Sequence, residues 1–333
     1  MNRELLIANA AGDFTPIDNG APEPGVVHAA NASRFTEAHF SVPLTTFATG
    51  WKDQEGLEAL LDFVAPPVEV PRKFEYTQWT NSEAFNIDTD DIRAVGADFK
   101  RVELTQTKTT SKTLNKGLTY RVDLDNVDQN TPWREKIVST LRQRIIRSDV
   151  KRSIALLVAQ ATNTAKTWDT TAGKDPDQDM LTEVITATGV IGIPPTNLLV
   201  DLTAWSLRAK AHRAQSSAGG FSSAGHNVQQ VAEEIGCIRG MVARHKYSSV
   251  GPLSGTTKAS IAGGNYVLIY QAAPGQSIDD PSNIKRFVSA TVGGTMVRVY
   301  EQQVSMKLVD ITVEQYSLPL ITSTLGIRQL TIS

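Results

Sequence analysis

The stretch that decides the fold is residues 131–168, TPWREKIVSTLRQRIIRSDVKRSIALLVAQATNTAKTW. Thr131 can accept a hydrogen bond from a free backbone N–H at a helix start, and Pro132 suits the first helical position because it lacks an N–H. No Gly or Pro follows before Lys166. The sequence therefore predicts one helical rod of about 35 residues and roughly 50 Å. The alternative is a break at Ser148, which would cap a second helix.

The apolar residues of this stretch form two stripes on different sides of the predicted helix. In the first half they recur at every fourth position, and in the second half they lie on a face rotated by about half a turn. We expect the two halves to cover different surfaces. We call the predicted helix the spine helix, and we expect its apolar side chains to be buried. They are Ile137, Leu141, Ile145 and Ile154, with Val150, Leu157, Val158 and Ala161 on the same face as Ile154.

Most remaining positions of the predicted helix carry basic side chains. Such a row can face an anionic partner, or it can form a solvated or subunit-facing surface, which is the commoner case. The sequence leaves both interpretations open. The basic residues are Arg134, Lys136, Arg142, Arg144, Arg147, Lys151 and Arg152.

The composition is that of a globular protein. The chain has 333 residues, 41% of them hydrophobic and 20% charged, which is enough to bury one or two sizeable cores. A formal net charge of −2 gives no overall attraction to nucleic acid or to an anionic membrane. The single Cys237 excludes an intrachain disulfide and a multi-cysteine metal site. No run approaches the roughly 20 apolar residues that span a bilayer, and residues 1–12 do not resemble a secretory signal.

The N-terminal part of the chain shows little regular patterning. Residues 8–50 are rich in Ala, Gly, Pro, Asn and Thr and have neither a helical nor a strand period. We expect them to be an extended arm that neighbouring molecules hold in place. A short helix is predicted over 53–64, and the prolines that follow should end it.

A polar β-rich region spans 72–126. Phe74 and Tyr76 alternate with polar residues, as do the apolar residues of 118–124, so both stretches are predicted to cover a core on one face. Between them, 103–116 reads ELTQTKTTSKTLNK, which favours strand but is polar on both faces. Because it cannot bury itself, we expect a projecting hairpin whose edges and lysines meet a neighbouring subunit. Its candidate interface residues are Glu103, Thr105, Thr107, Lys108, Lys112 and Lys116.

The remainder of the chain is predicted to be an α/β unit followed by strands. Short helices and strands alternate from 180 to 270, a mobile loop rich in Gly and Ser spans 216–225, and a helix begins at Asn227. Several strands are expected from Ile284 onward.

No catalytic or cofactor motif is present. The sequence contains neither a phosphate-binding glycine loop nor a metalloprotease, dinucleotide-binding or serine-hydrolase motif. Asp175, Asp177 and Asp179 imitate the start of a calcium loop, but the turn position holds Met180 instead of Gly. The five histidines are scattered without a metal-ligand spacing. We therefore expect no enzyme activity, no cofactor and no bound metal.

The order of these parts is similar to that of the major capsid proteins of tailed bacteriophages, which share the HK97-type shell fold. The resemblance covers nearly the whole chain, and its best local pieces are KGLTYRVDLDN (116–126) running into TPWREKIVSTLRQRI, NVQQVAEEIGCIRGMV (227–242), NYVLIY and the terminal GIRQLTI. It implies an α+β fold with an N-terminal arm at 1–50, a short helix and linker at 51–71, an extended β-hairpin loop at 72–126, a peripheral domain with the spine helix at 127–195, an axial α/β domain at 196–283 and peripheral return strands at 284–333.

The function that this resemblance implies is structural. Hexamers and pentamers of the chain would tile an icosahedral capsid around double-stranded DNA, which they would touch by weak non-specific contact. The shell would assemble in the bacterial host cytoplasm and become the virion capsid. Portal, scaffolding and decoration proteins are left open as partners, and no membrane is implied.

Two alternatives remain at this point. An encapsulin-like compartment has the same fold and encloses a cargo enzyme instead of a genome. A cytosolic α/β enzyme would need a polar constellation in a pocket, which the sequence does not display.

Overall fold

The computed structural model describes residues 6–8, 14–16, 27–28, 39–79, 87, 91–93, 95–96, 98–101, 107–128, 131–215, 218–248, 258–273, 275, 277–291 and 294–333. The helices are α1 (Val42–Gly50), α2 (Leu57–Val64), α3 (Trp133–Gln160), α4 (Pro176–Ile191), α5 (Leu202–Ala214), α6 (Ala218–Ala224) and α7 (Val228–Glu234). The strands are β1 (Leu6–Ala8), β2 (Phe14–Pro16), β3 (Val27–His28), β4 (Pro67–Glu69), β5 (Lys73–Gln78), β6 (Thr107–Lys112), β7 (Leu114–Asp123), β8 (Thr162–Lys166), β9 (Asn197–Asp201), β10 (Arg239–Ala243), β11 (Lys246–Tyr247), β12 (Ala259–Ser260), β13 (Tyr266–Tyr270), β14 (Ile284–Ser289), β15 (Val297–Gln303), β16 (Leu308–Ile321) and β17 (Arg328–Ile332). Among the described residues, no helix is both long enough and apolar enough to cross a membrane.

The long helix α3 runs without interruption over 28 residues. The Lys136 N–H donates to the Pro132 carbonyl at 3.2 Å, so the helix starts where the sequence predicts. No break occurs at Ser148, whose hydroxyl donates to a carbonyl one turn earlier. The predicted end is wrong, because residues 162–166 form β8. Their threonines and asparagine are weak helix formers, and pairing with β17 gives their backbone another set of hydrogen bonds.

The buried side of α3 winds gradually around the helix. Leu141, Ile145 and Ile154 are buried, whereas Ile137 is only half-buried and Val138 is buried beside it. The two stripes of the sequence are therefore parts of one continuous surface. The buried positions that join them are Ile146, Asp149, Val150 and Ser153.

Asp149 is a buried acidic residue in the middle part of α3. Its side chain is fully buried, and its carboxylate accepts hydrogen bonds from Arg152 Nη1 at 3.0 Å and from Ser317 Oγ at 2.8 Å. A buried carboxylate is tolerated only when such partners satisfy it. The helix therefore continues through Asp149 because β16 supplies one of the partners.

One compact unit comprises residues 1–52, 116–142 and 291–315. In it, β15 pairs antiparallel with the first half of β16, and Val297 lies opposite Gln315. Near the chain start, β1 pairs antiparallel with both β2 and β3. The first ten residues of α3 belong to this unit.

The prediction of an extended arm over 8–50 is wrong for residues 42–50, which form α1. The Ser41 N–H donates to the Val299 carbonyl at 3.1 Å, and the Thr45 hydroxyl accepts from the Val299 N–H at 3.1 Å. Phe40 packs edge-on against the Tyr300 ring. These contacts with β15 stabilise a helix whose sequence pattern alone is too weak to show it. Most of 1–38 lies outside the described residues.

The second compact unit comprises residues 53–115, 143–290 and 316–333 and contains a mixed sheet in the order β10–β9–β13–β17–β8. β10 runs parallel to β9, β13 is antiparallel to both of its neighbours, and β17 is parallel to β8. Helices α4, α5 and α7 cover the sheet with a core that includes Met180, Val184, Val231 and Leu330. The boundaries expected at 195 and 284 do not separate this sheet, because β8 and β17 belong to it together with the strands of 196–283.

Capping residues define the ends of two helices in this unit. Asn227 caps α7 in a capping box with Gln230, and Gly192 ends α4 at a φ of 94°. The prediction of a mobile loop over 216–225 is wrong for 218–224, which form α6. Gly220 allows α6 to approach α5 closely, since a side chain there would overlap the His212 carbonyl.

The second unit also contains a β layer that carries the hairpin described below. The second half of β16 pairs antiparallel with β14, which pairs in parallel with β4. Helix α2 begins at Leu57, four residues later than predicted, because the Asp53 carboxylate accepts from the N–H groups of Glu55 and Glu58 and holds 53–56 as a turn.

Candidate assembly surface

Strands β5 and β6 pair antiparallel in a separate two-stranded sheet of the second unit, which we call the hairpin. Its register places Lys73 opposite Lys112 and Gln78 opposite Thr107. Residues 80–106, between Trp79 and the start of β6, are called the extended loop.

Aromatic side chains on β5 attach the hairpin to the body. Phe74 and Tyr76 are buried and pack against Phe287, with ring centroids 4.4 and 5.8 Å away. Burial raises the pKa of the Tyr76 phenol, and a hydrogen bond with Thr109 opposes this shift. β5 thus supplies the apolar contacts that the polar strand β6 lacks.

Thr113 fixes the end of the hairpin at which β5 begins and β6 ends. This residue is buried, its hydroxyl lies 3.0 Å from Ser289 Oγ, and its N–H donates to the Arg72 carbonyl at 3.0 Å. The prediction that 103–116 forms the projecting tip is therefore wrong for 107–116. The sequence signal is misleading because the Thr-rich stretch is polar on both faces, yet it pairs with β5 instead of folding on itself.

The predicted interface residues fall into three groups. Thr107, Lys108 and Lys112 are exposed on β6, and Lys116 is half-buried on β7. Glu103 and Thr105 lie outside the described residues. Lys73 and Lys112 are directly opposite one another, an arrangement of like charges that disfavours the isolated hairpin.

The extended loop carries large apolar side chains that sequence reasoning missed. Every residue that the structure describes between Trp79 and Thr107 is exposed. The signal that could have revealed this surface is a set of apolar residues in a stretch without helical or strand periodicity. The four side chains, each at least three-quarters exposed, are Ile87, Ile92, Val95 and Phe99.

Strand β7 presents a second apolar surface. The sequence predicts that Leu118 and Tyr120 cover a core, but in the structure both are exposed, as is Leu114. Val122 on the same face is buried. The apolar face of this strand therefore points mostly away from the chain's own body.

The polar side chains of β7 contact β16. Arg121 donates to both carboxylate oxygens of the buried Asp310, at 2.8 and 3.0 Å. The Thr119 hydroxyl lies 2.8 Å from that of Thr312. These contacts satisfy the buried Asp310 carboxylate, while Thr119 and Arg121 themselves remain exposed.

The basic row of α3 is largely occupied within the chain. Arg134 pairs with Glu301 at 2.7 Å, and Arg147 pairs with Glu55 at 2.6 Å. Arg142 stacks on the Trp51 ring. Arg152 and Lys151 also have partners, the carboxylate of Asp149 and the ring of Tyr247. Five of the seven basic residues thus have intrachain roles, which favours the structural interpretation over an anionic ligand.

The acidic run that imitates a calcium loop has three separate structural uses. Asp175 caps α4, Asp177 accepts from Arg208 Nε and Nη2 at 2.6 and 2.7 Å, and Asp179 accepts from Lys166 Nζ at 2.7 Å. Within the described ranges, no group of three or more acidic, His or Cys side chains could hold a metal ion.

The second unit also contains three histidines and one cysteine. His212 Nε2 lies 3.1 Å from Asp177, His226 pairs with Glu234 at 3.0 Å, and His245 Nε2 lies 2.6 Å from the Glu55 carbonyl. Burial raises the pKa of the Cys237 thiol to about 12, so it stays protonated and weakly nucleophilic at neutral pH. Asp177, His212 and Glu234 line one open cavity of about 500 Å³, whereas Cys237 and His245 are not among the residues that line it.

Comparisons with known proteins identify the fold. No protein-family model matches the chain, and no curated protein sequence is detectably similar to it. The crystal structure of a phage-related protein from Bordetella bronchiseptica RB50 aligns with 88% of this chain and 96% of its own at 15% identity and a TM-score of 0.64. The structure of Gordonia phage Cozz aligns with 94% of this chain and 97% of its own at 13% identity and a TM-score of 0.52. At these identities the similarity concerns the fold alone, and it confirms the predicted α+β fold of the HK97 type.

Proposed function

We propose that this chain is the major capsid protein of a tailed bacteriophage, which assembles through hexamers and pentamers into an icosahedral shell around double-stranded DNA. The observation that carries the proposal is the extended loop, whose described residues are all exposed and include four large apolar side chains. The HK97-type fold supports it.

The loop gains stability only when something covers it. An isolated subunit leaves Ile87, Ile92, Val95 and Phe99 in water, although Phe74 packs the preceding strand β5 against Phe287. Several large exposed apolar residues within one segment are typical of a protein interaction site. A second copy of the chain can cover them, and head-to-tail contacts of this kind close into rings.

The exposed face of β7 is the proposed counterpart on the neighbouring subunit. Leu114, Leu118 and Tyr120 form an apolar strip that the chain's own core does not use. Carboxylates of the neighbour would oppose Lys108 and Lys112 on β6, relieving the like-charge arrangement there.

Other partners contribute less to this proposal. Because the net charge is −2 and most basic residues of α3 are paired, contact with packaged DNA is weak and non-specific. The subunit assembles in the host cytoplasm and resides in the virion capsid, where portal, scaffolding and decoration proteins are further partners. The chain acts by assembly and not by catalysis.

Electron microscopy of the purified full-length chain tests the proposal. Closed particles are expected. Small oligomers with a substrate turnover would contradict it and favour an α/β enzyme, whereas particles that co-purify with a cargo enzyme instead of DNA would favour an encapsulin-like compartment.

A loop replacement tests the interface assignment separately. Residues 80–106 are exchanged for a short Gly-Ser turn, which the register permits because Gln78 and Thr107 are directly opposite. Trp79 is retained because its indole donates to the Asp279 carbonyl. The expected variant keeps the wild-type circular dichroism and melting transition but forms no shells. Normal shells would refute the role of the loop.

A further inference from the structure

A fully buried lysine holds together the loop that contacts the loop end of the hairpin. Lys285 lies in β14, and its ammonium group reaches residues 277–280, which we call the bracket. Lys285 Nζ donates to the carbonyl oxygens of Ser277 at 2.8 Å, Ile278 at 2.9 Å and Asp280 at 2.8 Å, and it pairs with Asp280 Oδ1 at 3.0 Å.

The bracket depends on this ammonium group. Three carbonyl oxygens that converge on one point repel one another unless a cation or a donor lies between them. Burial lowers the pKa of Lys285, and the Asp280 carboxylate opposes the shift by favouring the charged form. Without the amine, the three carbonyl oxygens would lose their shared donor, and the bracket would rely on the hydrogen bonds that the Asp280 carboxylate accepts from the N–H groups of Ser277 and Ser282.

The bracket in turn holds the end of β5 from which the extended loop departs. Asp279 Oδ1 accepts from the Thr77 hydroxyl at 2.7 Å, and the Asp279 carbonyl accepts from Trp79 Nε1 at 3.1 Å. Thr77 and Trp79 are both buried. Thr113 fixes the opposite end of the hairpin, so the bracket is a separate anchor at the loop end.

We propose that Lys285 is an internal clasp that holds the loop end of β5, at Thr77 and Trp79, in place through the bracket. Its ammonium group locks the bracket, and Asp279 transmits this constraint to Thr77 and Trp79. The inference rests on contacts within one unit of the chain and does not require the proposed function to be correct.

Hydrogen–deuterium exchange of the full-length unassembled protein tests the clasp. Lys285→Met keeps the length and apolar stem of the side chain and removes the ammonium group. It should accelerate amide exchange by about tenfold or more in the bracket and in 73–79. Lys307→Met is the matched control, since Lys307 is exposed and pairs with Asp125 elsewhere; it should leave both segments at wild-type rates.

Thr77→Val provides a second variant that keeps the clasp intact. It removes only the hydroxyl that reaches Asp279, so exchange should rise about fivefold in 73–79 while the bracket remains protected. The double variant with Lys285→Met should exchange no faster in 73–79 than Lys285→Met alone, because both changes break one chain of contacts.

Three results would overturn the proposal. They are unchanged exchange in 73–79 when the bracket loosens, additive effects of the two substitutions, and wild-type exchange in Thr77→Val. If Lys285→Met does not fold, Thr77→Val still decides whether the bracket restrains the hairpin.

Discussion

The apolar side chains of the extended loop provide the sharpest test of the assembly surface. A variant is made in which all four are replaced by serine, namely Ile87→Ser, Ile92→Ser, Val95→Ser and Phe99→Ser. Because each is at least three-quarters exposed in the subunit, the free energy of unfolding should change by only about 0.5 kcal/mol or less per site.

The expected effect on assembly is much larger. If a neighbouring subunit covers these side chains, each contributes about 1.5–3 kcal/mol of apolar burial, which gives an upper estimate of roughly 6–12 kcal/mol for the contact. Even about 3 kcal/mol would raise the concentration needed for assembly roughly a hundredfold. The variant should therefore remain as monomers or capsomers at concentrations where the wild type forms shells.

Sedimentation velocity and negative-stain microscopy measure assembly, and calorimetry measures the subunit. The matched control replaces Ile185 and Val190, which are exposed on α4 outside the loop, by serine. This control should assemble normally. Shells of the quadruple variant at the wild-type concentration would refute the reasoning, and a lowered melting temperature would show that the loop packs within its own chain.

Three further predictions concern the subunit itself. Ile145→Asp should abolish cooperative folding, because an unpartnered buried carboxylate costs several kcal/mol, whereas Ile185→Asp at an exposed site should leave the melting transition nearly unchanged in calorimetry. Gly240→Ala should destabilise the protein in urea unfolding because a methyl group would overlap a backbone carbonyl of α7. Gly189→Ala, in open space within α4, should instead stabilise it by about 0.5–1 kcal/mol. If Gly240→Ala were the more stable of the two variants, α7 and β10 would not be in contact. The free energy of unfolding should fall as the pH rises from 9.0 toward 12, because the Cys237 thiol ionises near 9.0 in the unfolded chain and only at about 12 in the folded one. Cys237→Ala should reduce this pH dependence by up to about 1.4 kcal/mol per pH unit. The same pH dependence in the variant and the wild type would contradict the burial of Cys237.

The features that sequence reasoning predicted correctly all depend on local signals. Pro132 and the absence of Gly or Pro define the start and continuity of α3, and Asn227 marks the start of α7 because its side chain satisfies a free backbone N–H within one turn. The order of these elements was enough to indicate the HK97-type fold.

The features that only the tertiary structure decided depend on partners far away in sequence. Residues 162–166 leave the helix because β17 pairs with them, and the Thr-rich β6 lies along β5 and not at a tip because Phe74 and Tyr76 anchor the pair. Alternation predicts that Leu118 and Tyr120 of β7 are buried, whereas both are exposed in the structure and Arg121 pairs with the distant Asp310. Local propensity is fixed by neighbours in the chain, whereas pairing, register and facing depend on which distant groups can satisfy buried charges and cover apolar surface.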